Sequence, residues 1–260
     1  MAVEAGPATV EPMMPNEWIV LDTSVVRETV RGSAAQGIDL AALACIRGRR
    51  PVSLSQTAYI ELANQLMGQR FTFADWAPVA EVLGTLIDEE HPIVPMGIAL
   101  RVLLGVDTAN GADLDRGLRG LRAMWHVLHS ARAPADLRQG RRFRFEGETR
   151  EFRPNAIRKE LDDAEARWVR IFTDLARELG RSVVPDDREW VSDRVRRSIG
   201  DVDRVPGLET AVKVAVEWVV IHGRRFQPGA SYQPKRAPND AMDFDQLFVL
   251  GLPAFLCTSD

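Results

Sequence analysis

Short apolar runs separated by helical segments are the feature that most constrains the fold of this chain. The runs WIVLD at 18–22, PVSL at 51–54 and AFLCTS at 254–259 are typical of buried strands. Helical patterns lie between them, including QTAYIELANQLMGQ at 56–69 and WAPVAEVLGTLIDEE at 76–90. Strands joined through helices form parallel sheets. The sequence therefore predicts an α/β fold with a parallel sheet.

Aspartates close the first and last of these strands, at Asp22 and Asp260. In open parallel sheets, functional sites form at the carboxyl ends of the strands. A second pair, Asp240 and Asp243, lies three residues apart in a helix predicted over 240–250. That spacing places both side chains on one helix face, where they can share one site.

Each of these acids has an ordinary explanation when it stands alone. An Asp-x-x-Asp at a helix start is ordinarily a cap or a solubility feature. Glu61, inside the helix that Ser55 is predicted to cap, would be a solvated residue. Together, however, the acids come from four separate elements, and converging carboxylates repel one another unless a cation neutralises them. Hard oxygen ligands of this kind indicate Mg²⁺ or Mn²⁺ rather than zinc.

Three stretches resemble the successive motifs of the PIN domain, the metal-dependent ribonuclease fold of many bacterial toxins and RNA-processing factors. They are IVLDTSVV, SLSQTAYIELANQL and NDAMDFDQLFVLGLPAFLCTSD, and the resemblance covers residues 17–70 and 236–260. The family has an aspartate after the first strand, a glutamate in the helix after the second, an aspartate opening a late helix and an aspartate ending the next strand. The positions that match are Asp22, Glu61, Asp240 and Asp260.

The resemblance implies a parallel-sheet, three-layer PIN-like core and an endoribonuclease that hydrolyses phosphodiester bonds. It gives the four matching acids catalytic roles. Together with Asp243 they would hold Mg²⁺ or Mn²⁺ as the metal cofactor. RNA is then the expected substrate, and an antitoxin-like protein and a second copy of the chain are candidate partners.

The predicted organisation is a PIN-like core interrupted by a large insertion. Residues 1–16 are expected to be a flexible N-terminus, since they lack the pattern of a signal peptide. Residues 17–110 form the first part of the core, and 111–235 form a mainly helical insertion. That insertion includes a hairpin predicted by RRFRFEGETREFR. Residues 236–260 form the last part of the core. Family members usually continue past this point, which leaves two alternatives: the chain is cut at Asp260, or the last structural pieces of the core are missing.

An acidic pocket repels RNA, so cations are expected beside it. Ser24 or Thr23 is expected to hydrogen-bond a metal-bound water or a phosphate. Phosphate contacts are assigned to a basic group near the last motif, Arg224, Arg225, Lys235 and Arg236. Between Arg116 and Arg144 there are eight arginines and one acid, which indicates either a phosphate-binding surface or a solvated helix face. Phe143 and Phe145 either stack bases or belong to a half-buried hairpin.

Bulk properties leave two alternatives to the nuclease. A net charge of −4 disfavours a wholly basic nucleic-acid binder, and no apolar run is long enough to span a membrane. The two cysteines match no zinc spacing and indicate reduced thiols of a cytoplasmic protein. The alternatives are a non-cleaving PIN-like module that binds RNA or a protein, and a metal-dependent hydrolase of small phosphoesters.

Overall fold

A computed structural model gives the arrangement of most of the chain. It describes residues 17–30, 50–95, 111–138, 140–153, 173–181, 183–199, 206–222 and 254–257, together with the single residues 100, 159, 166, 170, 249 and 252. The helix predicted over 240–250 lies outside the described residues apart from Val249.

Four parallel strands form the central sheet. They are β1 (Trp18–Leu21), β2 (Val52–Ser55), β3 (Ile93–Val94) and β6 (Ala254–Cys257), and their order across the sheet is β3-β2-β1-β6. Leu21 of β1 is in register with Leu54 on one side and with Cys257 on the other. The predicted parallel sheet and the α/β class are therefore confirmed. The PIN-like core and its insertion stay predictions.

Alternation along β1 divides the interior into two layers, because successive side chains of a strand point to opposite faces. Ile19 and Leu21 contribute to a hydrophobic core on the first face of the sheet. Trp18 and Val20 contribute to a second core on the other face. All four side chains are buried, as expected for a strand in the middle of a parallel sheet covered on both sides.

The first face is covered by helices that follow β1, β2 and β3 in the chain. They are α1 (Thr23–Val30), α2 (Gln56–Met67), α3 (Phe73–Leu86) and α4 (Gly111–Ser130). α1 contacts both α2 and α3, and α3 contacts α4. One cross-link is polar, because the indole Nε1 of Trp76 donates to the carbonyl of Leu128 over 3.2 Å in the buried layer.

The second face is covered by α5 (Arg188–Ile199) and α6 (Pro206–His222), which contact each other. Val191 of α5 and Val212 of α6 are fully buried in the core that also contains Val20 of β1. Residues 173–179 are helical and end at Gly180, whose φ of +66° is the left-handed conformation typical of a helix C-terminus. Described parts of the segment 111–235 thus complete both faces of the sheet.

Two helix boundaries follow from local chemistry. Ser55 is the N-cap of α2, and its hydroxyl oxygen accepts a hydrogen bond of 3.0 Å from the amide of Ala58, as predicted. The prediction that the third helix continues to Glu90 is wrong, because α3 ends at Leu86. Ile87 instead forms a parallel bridge with Val52 beside the central sheet.

A two-stranded antiparallel hairpin, β4 (Arg141–Phe145) and β5 (Glu148–Phe152), packs beside α4. Its two-residue turn consists of Glu146 at φ 48° and Gly147 at φ 79°. Two successive residues with positive φ form the turn that matches the twist of antiparallel strands. The hairpin prediction is confirmed. Among the described residues, no helix has the length and apolar content needed to cross a bilayer.

Candidate functional site

The candidate site lies where the connections of the sheet change direction. From β1 the chain proceeds to β2 and β3 on one side, whereas β6 pairs with β1 on the other side. In open parallel sheets, such a reversal leaves a crevice at the carboxyl ends of the two diverging strands. Here those strands are β1 and β6, and the residue that follows β1 is Asp22.

Backbone hydrogen bonds hold Asp22 to the end of β6 and to the first turn of α1. Its amide donates to the carbonyl of Cys257 at the end of β6 over 3.0 Å. Its own carbonyl accepts from the amide of Val26 in the first turn of α1 over 3.5 Å. Asp22 therefore precedes the first helical residue, where the helix dipole stabilises a carboxylate. The side chain is half-buried.

Ser24 orients the carboxylate of Asp22. Its hydroxyl donates to Asp22 Oδ2 over 2.8 Å, and its amide donates to the same oxygen over 3.4 Å. These two contacts restrain the rotation of the carboxylate, a role different from the predicted contact with substrate or metal-bound water. The substrate contact of Ser24 stays a prediction.

Thr23, the other hydroxyl predicted to contact a metal-bound water or a phosphate, is buried. It is 2 % exposed, and its hydroxyl has no hydrogen-bond partner among the residues that the structure describes. A buried hydroxyl without a partner lowers stability. The Thr23 hydroxyl is such a group, and it lies next to Asp22 in the chain. Sequence reasoning named Thr23 only as an equal of Ser24, since the two hydroxyls are indistinguishable without knowledge of burial.

Glu61 reaches the same end of the sheet on α2. This helix begins at Gln56, directly after β2, and β2 is the neighbour of β1. Adjacent strands lie about 4.8 Å apart, so the starts of α1 and α2 are close together. Glu61 is half-buried between the buried Ile60 and Leu62. It lies about 8 Å along the helix axis from Gln56, at 1.5 Å per residue.

The remaining predicted ligands and phosphate contacts fall outside the described residues. They are Asp240, Asp243 and Asp260, and the basic residues Arg224, Arg225, Lys235 and Arg236. Within the described parts of the chain, no three His, Cys, Asp or Glu side chains are grouped so that they could hold a metal ion. Asp22 and Glu61 are the two predicted ligands that the structure does describe. Their carboxylate oxygens are the donor type that Mg²⁺ and Mn²⁺ prefer.

Cys257 is the thiol nearest to the candidate site in the sheet. It is a free cysteine on β6 and packs against the first core. Burial raises the pKa of the Cys257 thiol, so the thiol is protonated at neutral pH. A protonated thiol is neither a good nucleophile nor a metal ligand.

Two histidines that resemble a metal-binding pair have separate packing roles. His129 stacks on Trp125 at 5.3 Å between ring centroids, and His126 lies 5.5 Å from the ring of Phe145. Burial, reinforced by Arg132 and His126, lowers the pKa of His129. A hydrogen bond with the Ala80 backbone acts in the opposite direction. His129 is therefore mostly neutral at pH 7.

Ion pairs neutralise part of the arginine cluster between Arg116 and Arg144. Among the ion pairs that the structure describes in this segment are Arg119–Asp115, Arg122–Glu146 and Arg141–Asp136. Arg142 and Arg144 are exposed and point away from α4, since they alternate along β4 with the half-buried Phe143 and Phe145. The half-buried hairpin is confirmed, and binding of phosphates by these arginines stays a prediction.

The structure also reveals an acid that sequence reasoning missed. Asp187 is 8 % exposed and accepts hydrogen bonds from both Nη atoms of Arg181, at 2.5 and 2.6 Å. The Arg181 guanidinium and the amide of Val184 lower the pKa of Asp187. This pair anchors the loop before α5 and is remote in the chain from the candidate site.

Comparison with protein-family models, curated proteins and solved structures found no match to this chain.

Proposed function

We propose that this protein is a metal-dependent endoribonuclease whose reaction centre lies at the carboxyl ends of β1 and β6. The observation that carries the proposal is the position of Asp22. Its half-buried carboxylate stands at the point where the sheet connections diverge, is oriented by Ser24, and is joined through its amide to the end of β6. An N-cap aspartate accepts the same local bond from the second helical residue, so the position at the point of divergence is what carries the proposal.

Glu61 supports the same centre from a second element. It is carried by α2, which begins at the same end of the sheet and contacts α1. The Ser55 cap fixes the start of α2 and with it the height of Glu61 above the sheet. Asp240, Asp243 and Asp260 are proposed to complete the set, as the motif NDAMDFDQLFVLGLPAFLCTSD implies.

In this proposal the protein contributes carboxylates that are held in fixed positions before RNA binds. Asp22, Glu61, Asp240 and Asp260 would hold Mg²⁺ or Mn²⁺, with Asp243 as an additional ligand. A divalent ion so bound lowers the pKa of its water and stabilises negative charge at the attacked phosphate. Ser24 contributes indirectly, because it prevents the Asp22 carboxylate from rotating away from the crevice. Reactive serine and cysteine nucleophiles are not required.

The test is cleavage of single-stranded and structured RNA by the purified protein with Mg²⁺ or Mn²⁺, compared with Asp22→Asn and Glu61→Gln. We expect cleavage by the wild type and a loss of at least about 100-fold in each variant, since even residues behind metal ligands cost 10- to 100-fold. Glu81→Gln is the matched control, because Glu81 is an exposed helical glutamate on α3. It should cleave like the wild type.

The outcomes separate the three functional classes. RNA binding without cleavage by the wild type would identify the non-cleaving module. Hydrolysis of small phosphoesters without RNA cleavage would identify a metal-dependent hydrolase of small phosphoesters. Equal cleavage by wild type and Asp22→Asn would remove the proposed centre altogether.

A further inference from the structure

A pocket of about 430 Å³ lies between α4, the β4–β5 hairpin and the first half of α2. Its volume is within the range of about 300 to 1,000 Å³ that is usual for small-ligand sites. Tyr59 contributes from α2, and Met124 and Val127 contribute from α4. None of these residues belongs to the proposed metal centre. The pocket is therefore a second site that needs its own explanation.

Small residues on α4 leave room for a flat group. Gly120 and Ala123 lie three positions apart on the pocket side of α4. A Cβ atom added to Gly120 would meet no heavy atom within 4 Å, so the space above this residue is open. Phe143 and Phe152 of the hairpin form the facing apolar wall. A planar ring that enters here can contact apolar and aromatic side chains on two sides.

Two arginines at the rim favour an anionic ligand. The Nε atom of Arg150 is buried and has no hydrogen-bond partner among the described residues. The same side chain pairs with Glu148, and Arg153 pairs with Glu151, over 3.1 and 3.0 Å. Exposed ion pairs of this kind contribute little to stability, so an incoming phosphate can replace the glutamates. The phosphate would accept from the same Nη atoms of Arg150 and Arg153 that now donate to the glutamates.

The pocket lies across α2 from the candidate metal centre. Tyr59 lines the pocket and precedes Glu61 by two residues. Residues two apart on a helix point to roughly opposite sides, so Tyr59 and Glu61 project from different sides of α2, whose diameter with side chains is about 10 to 12 Å. A few nucleotides of a single strand can bridge a separation of that size.

We propose that this pocket binds one nucleotide of the single-stranded RNA substrate. The base lies between α4 and the hairpin, against Gly120 and Phe143, and the phosphate contacts Arg150 and Arg153. The inference rests on the proposed function, because only that function identifies the ligand as single-stranded RNA. It adds a binding position that lies outside the metal centre and that the PIN-like motifs do not include.

Filling the pocket is the decisive experiment. Gly120→Leu places a side chain in the open space, and leucine is the better helix former, so the variant should fold. Gly117→Leu is the matched control, because Gly117 is one turn earlier on α4, also has open space beyond its Cα, and does not line the pocket. Both are made in the Asp22→Asn background, which prevents cleavage during the measurement.

Binding is measured by fluorescence anisotropy of a labelled single-stranded oligoribonucleotide. We expect Gly120→Leu to weaken binding about tenfold, the effect of losing one stacked base, and Gly117→Leu to stay within about twofold. Arg150→Gln is a second variant that does not depend on the fold of α4. It should weaken binding. It should also make the slope of log affinity against log salt concentration shallower by about 1, which corresponds to the loss of one phosphate contact.

Normal binding by both Gly120→Leu and Arg150→Gln, or an equal loss in Gly117→Leu, would overturn the inference. Cleavage assays distinguish its failure from that of the proposed function. If wild type does not cut RNA but the pocket variants still lose binding, the nuclease proposal fails and the nucleotide site stands. If wild type cuts RNA and the pocket variants bind it normally, the nucleotide site alone fails.

Discussion

Ser24 donates its hydroxyl hydrogen to the Oδ2 atom of Asp22 over 2.8 Å, two residues along the chain. The contact restrains the carboxylate at the end of β1. This makes Ser24 a positioning residue of the proposed centre. Its contribution can be measured apart from that of Asp22.

Ser24→Ala should lower the affinity for Mn²⁺ by about 10- to 100-fold, as is usual for residues that orient metal ligands. Mn²⁺ titration followed by calorimetry or electron paramagnetic resonance measures the effect directly. Ser24→Thr keeps the hydroxyl and should restore most of the affinity. A Ser24→Ala variant with wild-type Mn²⁺ affinity would show that the hydrogen bond has no role in the centre.

The cap of α2 provides a second prediction. Ser55 is fully buried, and its hydroxyl satisfies the Ala58 amide at the start of the helix that carries Glu61. Ser55→Ala should lower the free energy of unfolding by about 1 to 2 kcal/mol and weaken Mn²⁺ binding as well. Urea denaturation and metal titration measure the two effects.

Thr72→Ala is the control for the cap of α2, because Thr72 caps α3 through the amide of Asp75 and α3 carries no predicted ligand. It should lower stability by about 0.5 to 1 kcal/mol. Metal affinity should not change. A parallel loss of metal affinity in Thr72→Ala would mean that general destabilisation, rather than the position of α2, explains the effect of Ser55→Ala.

Gly84 provides a packing prediction away from the site. A Cβ atom at Gly84 would lie 2.3 Å from Nε2 of His129, and that imidazole is held by stacking on Trp125 and by a hydrogen bond with the Ala80 backbone. Gly84→Ala should therefore lower the free energy of unfolding by about 1 to 3 kcal/mol. Gly120→Ala, where the space is open, should raise it by up to about 1 kcal/mol. Thermal and urea denaturation of the two variants should thus shift in opposite directions.

His129 should make stability depend on pH. Its pKa in the folded protein lies below the ordinary 6.5, chiefly because the ring is buried. Between the folded pKa and pH 6.5 the unfolded chain therefore binds a proton that the folded chain does not. This contribution to stability is complete above pH 6.5 and is lost as the pH falls from there to the folded pKa.

Urea denaturation at a series of pH values between about 5 and 8 tests the prediction, because stability should fall on the acid side in the wild type. His129→Gln removes the titrating group and should flatten that part of the profile. An unchanged profile in His129→Gln would assign the acid sensitivity to another group. Asp187 would not account for it, because its lowered pKa places its effect below pH 3.8.

Local chemistry explains which elements could be predicted from the sequence. The strands at Trp18–Leu21 and Val52–Ser55 are contiguous apolar runs, and the hairpin turn at Glu146 and Gly147 has the residue types that tolerate a tight reversal. The Ser55 cap is likewise a short-range signal. These features depend on neighbours within a few residues, so periodicity and turn composition are sufficient.

Features that depend on residues far apart in the chain could not be predicted from local sequence patterns. The end of α3 at Leu86 follows from the pairing of Ile87 with Val52, and no pattern within residues 76–90 contains Val52. The ion pair between Arg122 and Glu146 joins a helix to a hairpin turn and removes a cation from the expected phosphate surface. The position of Asp22 at the end of β1 was predictable from the apolar run before it. Its orientation by Ser24 and the burial of Thr23 depend on the three-dimensional arrangement and were not.

The placement of β6 beside β1 has a consequence for how the chain acquires its structure. β1 is among the first described residues and β6 is the last described strand, yet each supplies hydrogen bonds to the other. Closure of so large a loop is entropically costly and slows the search for native pairing. During synthesis on the ribosome, Asp22 would therefore lack its Cys257 contact until almost all the described chain has emerged. We expect refolding to be slow, and metal affinity to be acquired only in its final phase.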